Sequence, residues 1–257
     1  MHKYNLKKQK DDIRDYKFHR EYKQIININL PKKINLYDLI ELPILDQGDL
    51  GSCTANVTSS AILFYLKQYK MKEYQPSRLY IYYFSRLLEG TINEDSGCDI
   101  RNVLKAISKY GACDELLYPY DISKFNIKPP NYCIIDGKSR IKKIRYLSIE
   151  QNLRVIKNCL YRGYPIILGV NMFESFESKE SLDSGNIQLP DIEMEKNLGF
   201  HCILLIGYNE SNKDEKFFIF INSWGENVGY NGLFNIPYEY ILTNNLASDF
   251  WAIDYIE

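Results

Sequence analysis

The apolar residues of this chain follow a helical period up to residue 161 and a strand period after it. Helical patterns, several of them bounded by a capping residue or a glycine, cover residues 53–69, 77–90, 99–110 and 153–161. Short apolar runs bounded by turn residues cover 165–170, 201–208, 217–222, 232–236 and 251–256. Helices followed by a group of such strands predict an α+β fold with an antiparallel sheet.

The composition is that of a globular protein with a sizeable core. Of the 257 residues, 45% are hydrophobic and 25% are charged, which suits one large domain or two fused subdomains. No apolar run approaches the ~20 residues of a membrane-spanning helix, so we expect no membrane partner. The tyrosines of residues 78–84 fit a core better than a base-stacking platform, and we expect no nucleic acid.

The six cysteines lie far apart and form no CxxC pair. Zinc is therefore not expected, and no cofactor is predicted. Five of them fit the role of small buried side chains, namely Cys98, Cys113, Cys133, Cys159 and Cys202.

The sixth cysteine, Cys53, follows a glycine-rich turn in the run DQGDLGSCTAN at residues 46–56. It stands at the first turn of a helix that should be buried nearly all round. A helix N-terminus carries partial positive charge and unpaired N–H groups, so it favours a thiolate. Taken alone, a cysteine in this position is more often structural, and a catalytic role requires partners.

A nucleophilic cysteine needs a base, and the base needs a group that orients it. Of the three histidines, His2 and His19 lie in the N-terminal tail, whereas His201 opens an apolar strand. In the later run INSWG, Asn222 can fix the imidazole tautomer and the indole two residues later can exclude water. A glutamine upstream of the cysteine, Gln47, can donate to an oxyanion together with the backbone N–H of the nucleophile.

The motifs DQGxxGSC, GFH before a strand and NSWG occur in this order and resemble those of papain-like, cathepsin-like cysteine peptidases of the C1 family. The resemblance covers about residues 30–257, and the GSCTAN form is similar to a microbial and large-virus branch. It implies Cys53 as nucleophile, His201 as base and acid, Asn222 as orienting residue and Gln47 as oxyanion donor. Trp224 is similar to the shielding indole of the family.

The resemblance also implies a substrate groove. Gly97 and Cys98 occupy the place of a glycine pair whose backbone holds an extended peptide, and Cys202 and Trp224 are further candidates for substrate binding. The chain departs from the common motifs at Leu50, Thr54, Phe200 and Cys98. These departures affect substrate preference and leave the acyl-transfer groups intact. Leu50 replaces a disulfide cysteine, which, without a secretory signal, favours an intracellular or virion-associated protein.

The expected fold is a two-lobed papain-like α+β structure with its active site in the cleft between the lobes. A helical lobe should span about residues 46–140, and a β-barrel-like lobe about 141–257 together with 30–45. The expected function is a cysteine endopeptidase acting on protein or peptide substrates. Two alternatives remain: an acyl transferase or transpeptidase with the same groups, and a silent peptide-binding homologue.

Residues 1–29 form a basic extension. Residues 1–33 hold ten Lys/Arg and four Asp/Glu, whereas residues 173–196, just before His201, hold seven Asp/Glu and two Lys. The extension can be solvated, bind polyanions or dock on its own body. We expect it to pack near the acidic loop 173–196 and to obstruct the groove, as the pro-segment of a zymogen does.

Overall fold

The computed structural model describes residues 3–10, 12–22, 29–212 and 215–257. The helices in this part of the chain are α1 (Phe18–Glu21), α2 (Cys53–Gln68), α3 (Arg78–Glu89), α4 (Ile100–Tyr110), α5 (Asn131–Arg140), α6 (Leu153–Tyr161), α7 (Lys179–Ser184) and α8 (Tyr238–Leu242). The strands are β1 (Lys33–Asn35), β2 (Ile144–Ser148), β3 (Ile166–Phe173), β4 (Asn197–Asn209), β5 (Phe217–Ile221), β6 (Leu233–Pro237) and β7 (Ala247–Ile256).

Helix α2 is the central helix of the molecule. Its side chains are buried from Cys53 to Leu66, including polar ones such as Thr54 and Asn56. The helix packs against α3 and α4 on one side and against β3, β4 and β7 on the other. A helix enclosed on all sides has no solvent-facing stripe, which explains the apolar residues on every face of this segment.

The ends of α3 and α4 follow local capping rules. Ser77 accepts a hydrogen bond from the N–H of Tyr80, and Asp99 accepts one from the N–H of Asn102. Both helices end at a glycine with positive φ, Gly90 at 73° and Gly111 at 71°. The predicted positions of both helices are therefore confirmed.

The strands form one antiparallel sheet in the order β2-β7-β3-β4-β5-β6, and β1 pairs with β4 outside this path. The pairing of β4 with β5 sets Leu204 opposite Ile221. This register brings Asn222, just after β5, towards His201 of β4. The side chains that fill the sheet interior are fully buried, among them Leu168, Phe218 and Trp251.

The short helices α1, α7 and α8, together with α5 and β2, were not predicted from the sequence. The prolines of residues 118–132 predict an irregular segment, yet α5 begins directly after Pro130, whose fixed φ suits a helix start. The strand β2 was also missed. It is short, and its pairing with the distant β7 supplies its stability.

The helices α2–α5 lie on one side of the molecule and the sheet lies on the other, with α6 packed against β3 and β4. This is the α+β architecture expected from the sequence. Within the described ranges, no helix is long and apolar enough to cross a membrane.

Gly111 and Gly90 make a matched pair for testing close packing. A β-carbon on Gly111 would lie 2.0 Å from the carbonyl oxygen of Gly137, and its φ of 71° with ψ of −161° is a region that only glycine adopts readily. We expect Gly111→Ala to lower the free energy of unfolding by about 3 kcal/mol or more, as measured by urea denaturation.

The control is Gly90→Ala, where a β-carbon meets nothing within 4 Å. Only left-handed backbone strain acts there, and a loss of about 1 kcal/mol is expected. Equal losses at the two positions would contradict the role given to the contact between Gly111 and Gly137.

Candidate active site

The turn before α2 presents Cys53 at the helix N-terminus. The N–H of Gly48 donates to Asp46 Oδ1 at 2.8 Å, and the N–H of Ser52 donates to the carbonyl of Leu50 at 2.7 Å. Leu50, which replaces the disulfide cysteine of the common motif, is buried in this turn. The cysteine itself is only 1% exposed. The thiol is therefore placed by a hydrogen-bonded turn and covered by other parts of the chain.

Two opposing effects act on the thiol of Cys53. Burial raises the pKa of Cys53 to about 11, while hydrogen bonds from the backbone N–H groups of Cys202, Thr54 and Cys53 itself act to lower it. The lowered pKa expected from the helix N-terminus is therefore outweighed by burial in this state of the protein. The N–H of Cys202 belongs to β4, so the sulfur lies where α2 meets the sheet.

The imidazole of His201 is held from two sides. Its Nε2 lies 2.8 Å from Oδ1 of Asn222, and the indole of Trp224 stacks on the ring with centroids 5.3 Å apart and planes at 27°. Asn222 Oδ1 also accepts the N–H of Ser223 at 2.8 Å, which fixes the amide. All these side chains are at most 5% exposed. The structure thus brings together the histidine, amide and indole predicted from the sequence.

Gln47 is oriented by a residue that the sequence reading did not assign. Its Oε1 accepts the hydroxyl of Ser223 at 2.7 Å, and its backbone N–H donates to the carbonyl of Ser223 at 2.9 Å. These contacts turn the amide so that Nε2 donates to the carbonyl of Leu50 at 3.0 Å. The Nε2 group has a second N–H, which is the donor available to a ligand. The sequence did contain a clue to this role, because Ser223 stands between Asn222 and Trp224 in the motif NSWG.

Tyr120 and Arg78 support the same turn from the helical side. The hydroxyl of Tyr120 donates to the carbonyl of Gln47 at 2.9 Å, and the guanidinium of Arg78 lies 3.9 Å from the Tyr120 ring centroid. Arg78 also donates to the carbonyl of Asp46 at 2.9 Å and pairs with Glu115 at 2.6 Å. The sequence alone did not reveal these contacts, because they join segments far apart in the chain.

The residues predicted to line the groove differ in whether their backbone or their side chain is accessible to a peptide. Gly97 has φ of 66°, and a β-carbon there would lie 1.9 Å from the carbonyl oxygen of Asn5. The Cys98 thiol is fully buried, and only its backbone carbonyl faces the chain that passes over it. Cys202 is also fully buried beside Cys53. Backbone, rather than thiol groups, therefore lines this part of the groove.

Residues 4–7 of the N-terminal extension lie across this site. The N–H of Leu6 donates to the carbonyl of Phe200 at 3.0 Å, and the N–H of Lys7 donates to the carbonyl of Cys98 at 3.3 Å. The Tyr4 ring meets the His201 ring edge-on with centroids 5.5 Å apart. The extension therefore makes backbone contacts to both walls of the cleft.

Charged side chains of the extension pair mainly with the helical side. Lys3 and Lys7 lie 2.6 Å from carboxylate oxygens of Asp95 and Glu89, respectively. One contact reaches the acidic loop 173–196, a hydrogen bond from the Tyr4 hydroxyl to Glu177. Burial, followed by this bond, raises the pKa of Tyr4.

Farther along the extension, further contacts hold it to the body. Asp15 pairs with Arg101 at 2.5 Å, and the N–H of Ser148 in β2 donates to the carbonyl of Tyr16 at 2.8 Å. Phe18 is fully buried, with its ring 6.5 Å from that of Tyr164. Residues 23–28 of the predicted extension lie outside the described residues.

Fold and site together define a cysteine protease, and residues 31–249 match the papain family of cysteine proteases. The chain belongs to this family. It is 41% identical over 255 residues to an uncharacterized peptidase C1-like protein, L477, of Acanthamoeba polyphaga mimivirus, covering 93% of this chain and 80% of the relative.

Two further relatives fit the same assignment. The crystal structure of xylellain, a cysteine protease from Xylella fastidiosa, superposes with a TM-score of 0.89 at 35% identity, covering 99% of this chain and 96% of that one. Cysteine proteinase 1 of Zea mays is 27% identical over 214 residues, which are 76% of this chain and 52% of the relative.

The raised pKa of Cys53 predicts how its alkylation depends on pH. Only the thiolate reacts, so with a pKa of about 11 the rate at neutral pH should be low and should rise about tenfold per pH unit. Displacing the extension with Leu6→Asp should admit water, relieve the burial and move this profile to lower pH. Mass spectrometry of the Cys53 peptide after iodoacetamide pulses measures the profile.

The exposed Ile13 provides the control, because Ile13→Asp introduces the same charge into the same extension without removing a buried contact. Its profile should match that of the unmodified chain. A Leu6→Asp profile that does not move would show that the extension is not the cause of the raised pKa.

Proposed function

We propose that this papain-family protease is an endopeptidase that cleaves peptide bonds through an acyl-enzyme formed on Cys53. The observation that carries the proposal is the 2.8 Å bond between His201 Nε2 and Asn222 Oδ1, which leaves Nδ1 as the nitrogen for proton exchange with the thiol. The thiol lies at the junction of α2 and β4, the strand that contains the histidine.

The first half-reaction follows from these positions. The Cys53 thiol gives its proton to His201, and the thiolate attacks the carbonyl carbon of the scissile bond. The oxyanion accepts hydrogen bonds from the second N–H of Gln47 Nε2 and from the Cys53 N–H. His201 then protonates the leaving amine as the C–N bond breaks, and a thioester remains.

The second half-reaction uses the same groups. Water loses a proton to His201 and attacks the thioester carbonyl, and the histidine returns a proton to the departing thiolate. Asn222 holds the ring in one tautomer throughout, and the stacked Trp224 keeps water from the bond between them. Ser223 acts on the oxyanion indirectly, because its hydroxyl orients Gln47.

Replacing the nucleophile and base tests this mechanism. Cys53→Ala should abolish turnover of fluorogenic peptides and labelling by a thiol-directed epoxide. His201→Ala should lower kcat by ~10³-fold or more. Cys159→Ala, a buried thiol in α6, is the control and should retain activity. Substantial turnover by Cys53→Ala would refute the assignment, and products formed on an added amine in place of water would indicate acyl transfer.

The proposal includes restraint of the enzyme by its own extension. Tyr4 lies beside His201, whereas Lys7 lies beside Cys98, so the extension runs from the histidine towards the predicted peptide-binding backbone. In a substrate, the acyl part is the N-terminal part and would lie along that backbone. The extension therefore runs opposite to a substrate, and its carbonyl groups are not presented to the thiol for cleavage.

The anchor of this restraint is Leu6, which is 6% exposed. Its Cδ2 approaches Gly169 so closely that a β-carbon there would lie 2.5 Å away, and its N–H bonds to Phe200. The ion pairs of Lys3 and Lys7 are partly exposed and add less. Apolar burial therefore makes the larger contribution to holding the extension in the cleft.

Leu6→Asp in the full-length chain should raise kcat/KM about tenfold or more, because a carboxylate is strongly disfavoured in this apolar contact. Ile13 is 97% exposed, so Ile13→Asp is the control. It should leave kcat/KM within about a factor of two of the unmodified chain. Initial rates on one peptide amide compare the variants. Equal rates for all chains would mean that the extension does not restrain the enzyme.

A further inference from the structure

Lys7 is held in a specific position of the groove. Its backbone N–H donates to the carbonyl of Cys98 at 3.3 Å, as an extended peptide would. Its Nζ lies 2.6 Å from Glu89 Oε2 and 3.2 Å from the Ser96 hydroxyl. The protein therefore contacts both the backbone and the ammonium group of Lys7. These contacts indicate which side chain a bound peptide would place at this position.

Hydrogen bonds within the protein hold the carboxylate of Glu89 in an orientation that suits a cation. Its other oxygen, Oε1, accepts the N–H of Asp99 at 3.1 Å and the amide of Asn102 at 3.2 Å. The side chain is 9% exposed, so these bonds fix Oε2 towards the groove. The carboxylate is therefore positioned by the body of the protein, and the extension only supplies its counterion.

The position of Glu89 at the end of α3 also favours a cation. Glu89 is the last residue of α3, where the negative end of the helix disfavours a carboxylate. At the neighbouring Asp99, burial raises the pKa, the N–H of Asn102 opposes this, and the charge of Glu89 raises the pKa further, while Arg101 and Lys105 act to lower it. The nearby Arg86 donates to the carbonyls of Ile92 and Glu94. A lysine or arginine entering the groove would pair with Glu89 Oε2, as the Lys7 ammonium does.

The contact of Leu6 fixes the neighbouring position. The absence of a side chain at Gly169 leaves room for the Leu6 methyl group, and the carbonyl of Phe200 holds its backbone. An aliphatic position and a cation position therefore adjoin along one extended chain. Because a substrate runs opposite to the extension, its basic residue precedes its aliphatic residue, and cleavage follows on the C-terminal side of the pair.

We propose that Glu89 forms a specificity subsite that selects peptide substrates with lysine or arginine immediately before an aliphatic residue. The inference rests on the proposed peptidase function for its direction and on the contacts of Lys7 for its chemistry. Glu89 acts on the substrate side chain and has no part in the acyl transfer.

Binding measurements test the subsite without catalysis. The host is the full-length chain with Cys53→Ala and Leu6→Asp, and the probes are a capped peptide of residues 3–10 and the same peptide with norleucine replacing Lys7. Calorimetry should show about tenfold weaker binding of the norleucine peptide. Adding Glu89→Gln to the host should bring the two peptides within about twofold of each other.

Glu94→Gln is the matched control, because Glu94 is an exposed carboxylate a few residues away on the same side of the fold. It should preserve the tenfold difference. The fold should tolerate Glu89→Gln, since the glutamine oxygen can still accept the N–H of Asp99, and a thermal melt checks this. A difference that persists in Glu89→Gln, equal binding of both peptides to the parent host, or failure of the lysine peptide to bind would overturn the subsite.

Kinetics then separate the subsite from the peptidase function. The Leu6→Asp chain with Cys53 intact is given fluorogenic amides of Lys-Leu-Ala and norleucine-Leu-Ala. We expect kcat/KM to favour the lysine peptide about tenfold, and the preference to fall with added salt and in Glu89→Gln. Equal hydrolysis of both peptides would overturn the subsite alone. Hydrolysis of neither would refute the peptidase proposal, and the binding data would still decide the subsite.

Discussion

The packing of α2 on β4 is the contact on which the rest of this structure depends. The proposed nucleophile belongs to the helix and the proposed base belongs to the strand, so the proposed site is complete only where helix and sheet meet. The contact is buried on both sides, with Cys53 and His201 almost without exposure. Close packing of this kind holds the two groups in a fixed relation, because a shift would open a cavity in the core.

Ser223 and Gln47 form a second contact between the sheet and the helical side of the molecule. The serine follows β5, the glutamine precedes α2, and they exchange a side-chain and a backbone hydrogen bond. The same short segment therefore orients both the imidazole, through Asn222, and the amide of Gln47, through Ser223. In the proposed mechanism, this one turn at the end of one strand sets the geometry of the reaction.

The proposed restraint connects this geometry to control of the enzyme through the N-terminal extension. Tyr4 of the extension lies against His201, and burial raises the pKa of Cys53 against the effect of the helix N-terminus. Under the proposal, the extension both disfavours the thiolate and excludes substrate. The charge pattern of the sequence indicated that a basic segment would dock on an acidic body. Its lysines, however, pair with Asp95 and Glu89 beside the groove, and the loop 173–196 contributes Glu177 through Tyr4. Net charge does not specify partners, because single carboxylates placed by the fold decide each contact.

Local rules were enough to predict α3 and α4, since their caps and terminal glycines act within a few residues. Helix α2 was predicted from its apolar pattern. Strands β3 to β7 were found by their apolar runs. The short β1 lies in the segment 30–45 that was assigned to the β lobe, and β2, which depends on its partner β7, was missed. The helix α5 was missed because Pro130 was read as a breaker although it stands at the helix start. Tyr120 and Arg78 could not be found, because their contacts link positions far apart in sequence.

The sequence by itself determined the chemical groups of the site and their order: a thiol at a helix start, a histidine at a strand start, and an amide and an indole after the next strand. These depend on residue type and local spacing, which a single chain displays directly. Only the tertiary structure decided that the thiol is covered, that Ser223 orients Gln47, and that Glu89 faces the groove. Those features arise from packing between distant segments, where burial and direction, rather than residue type, set the energy of each contact.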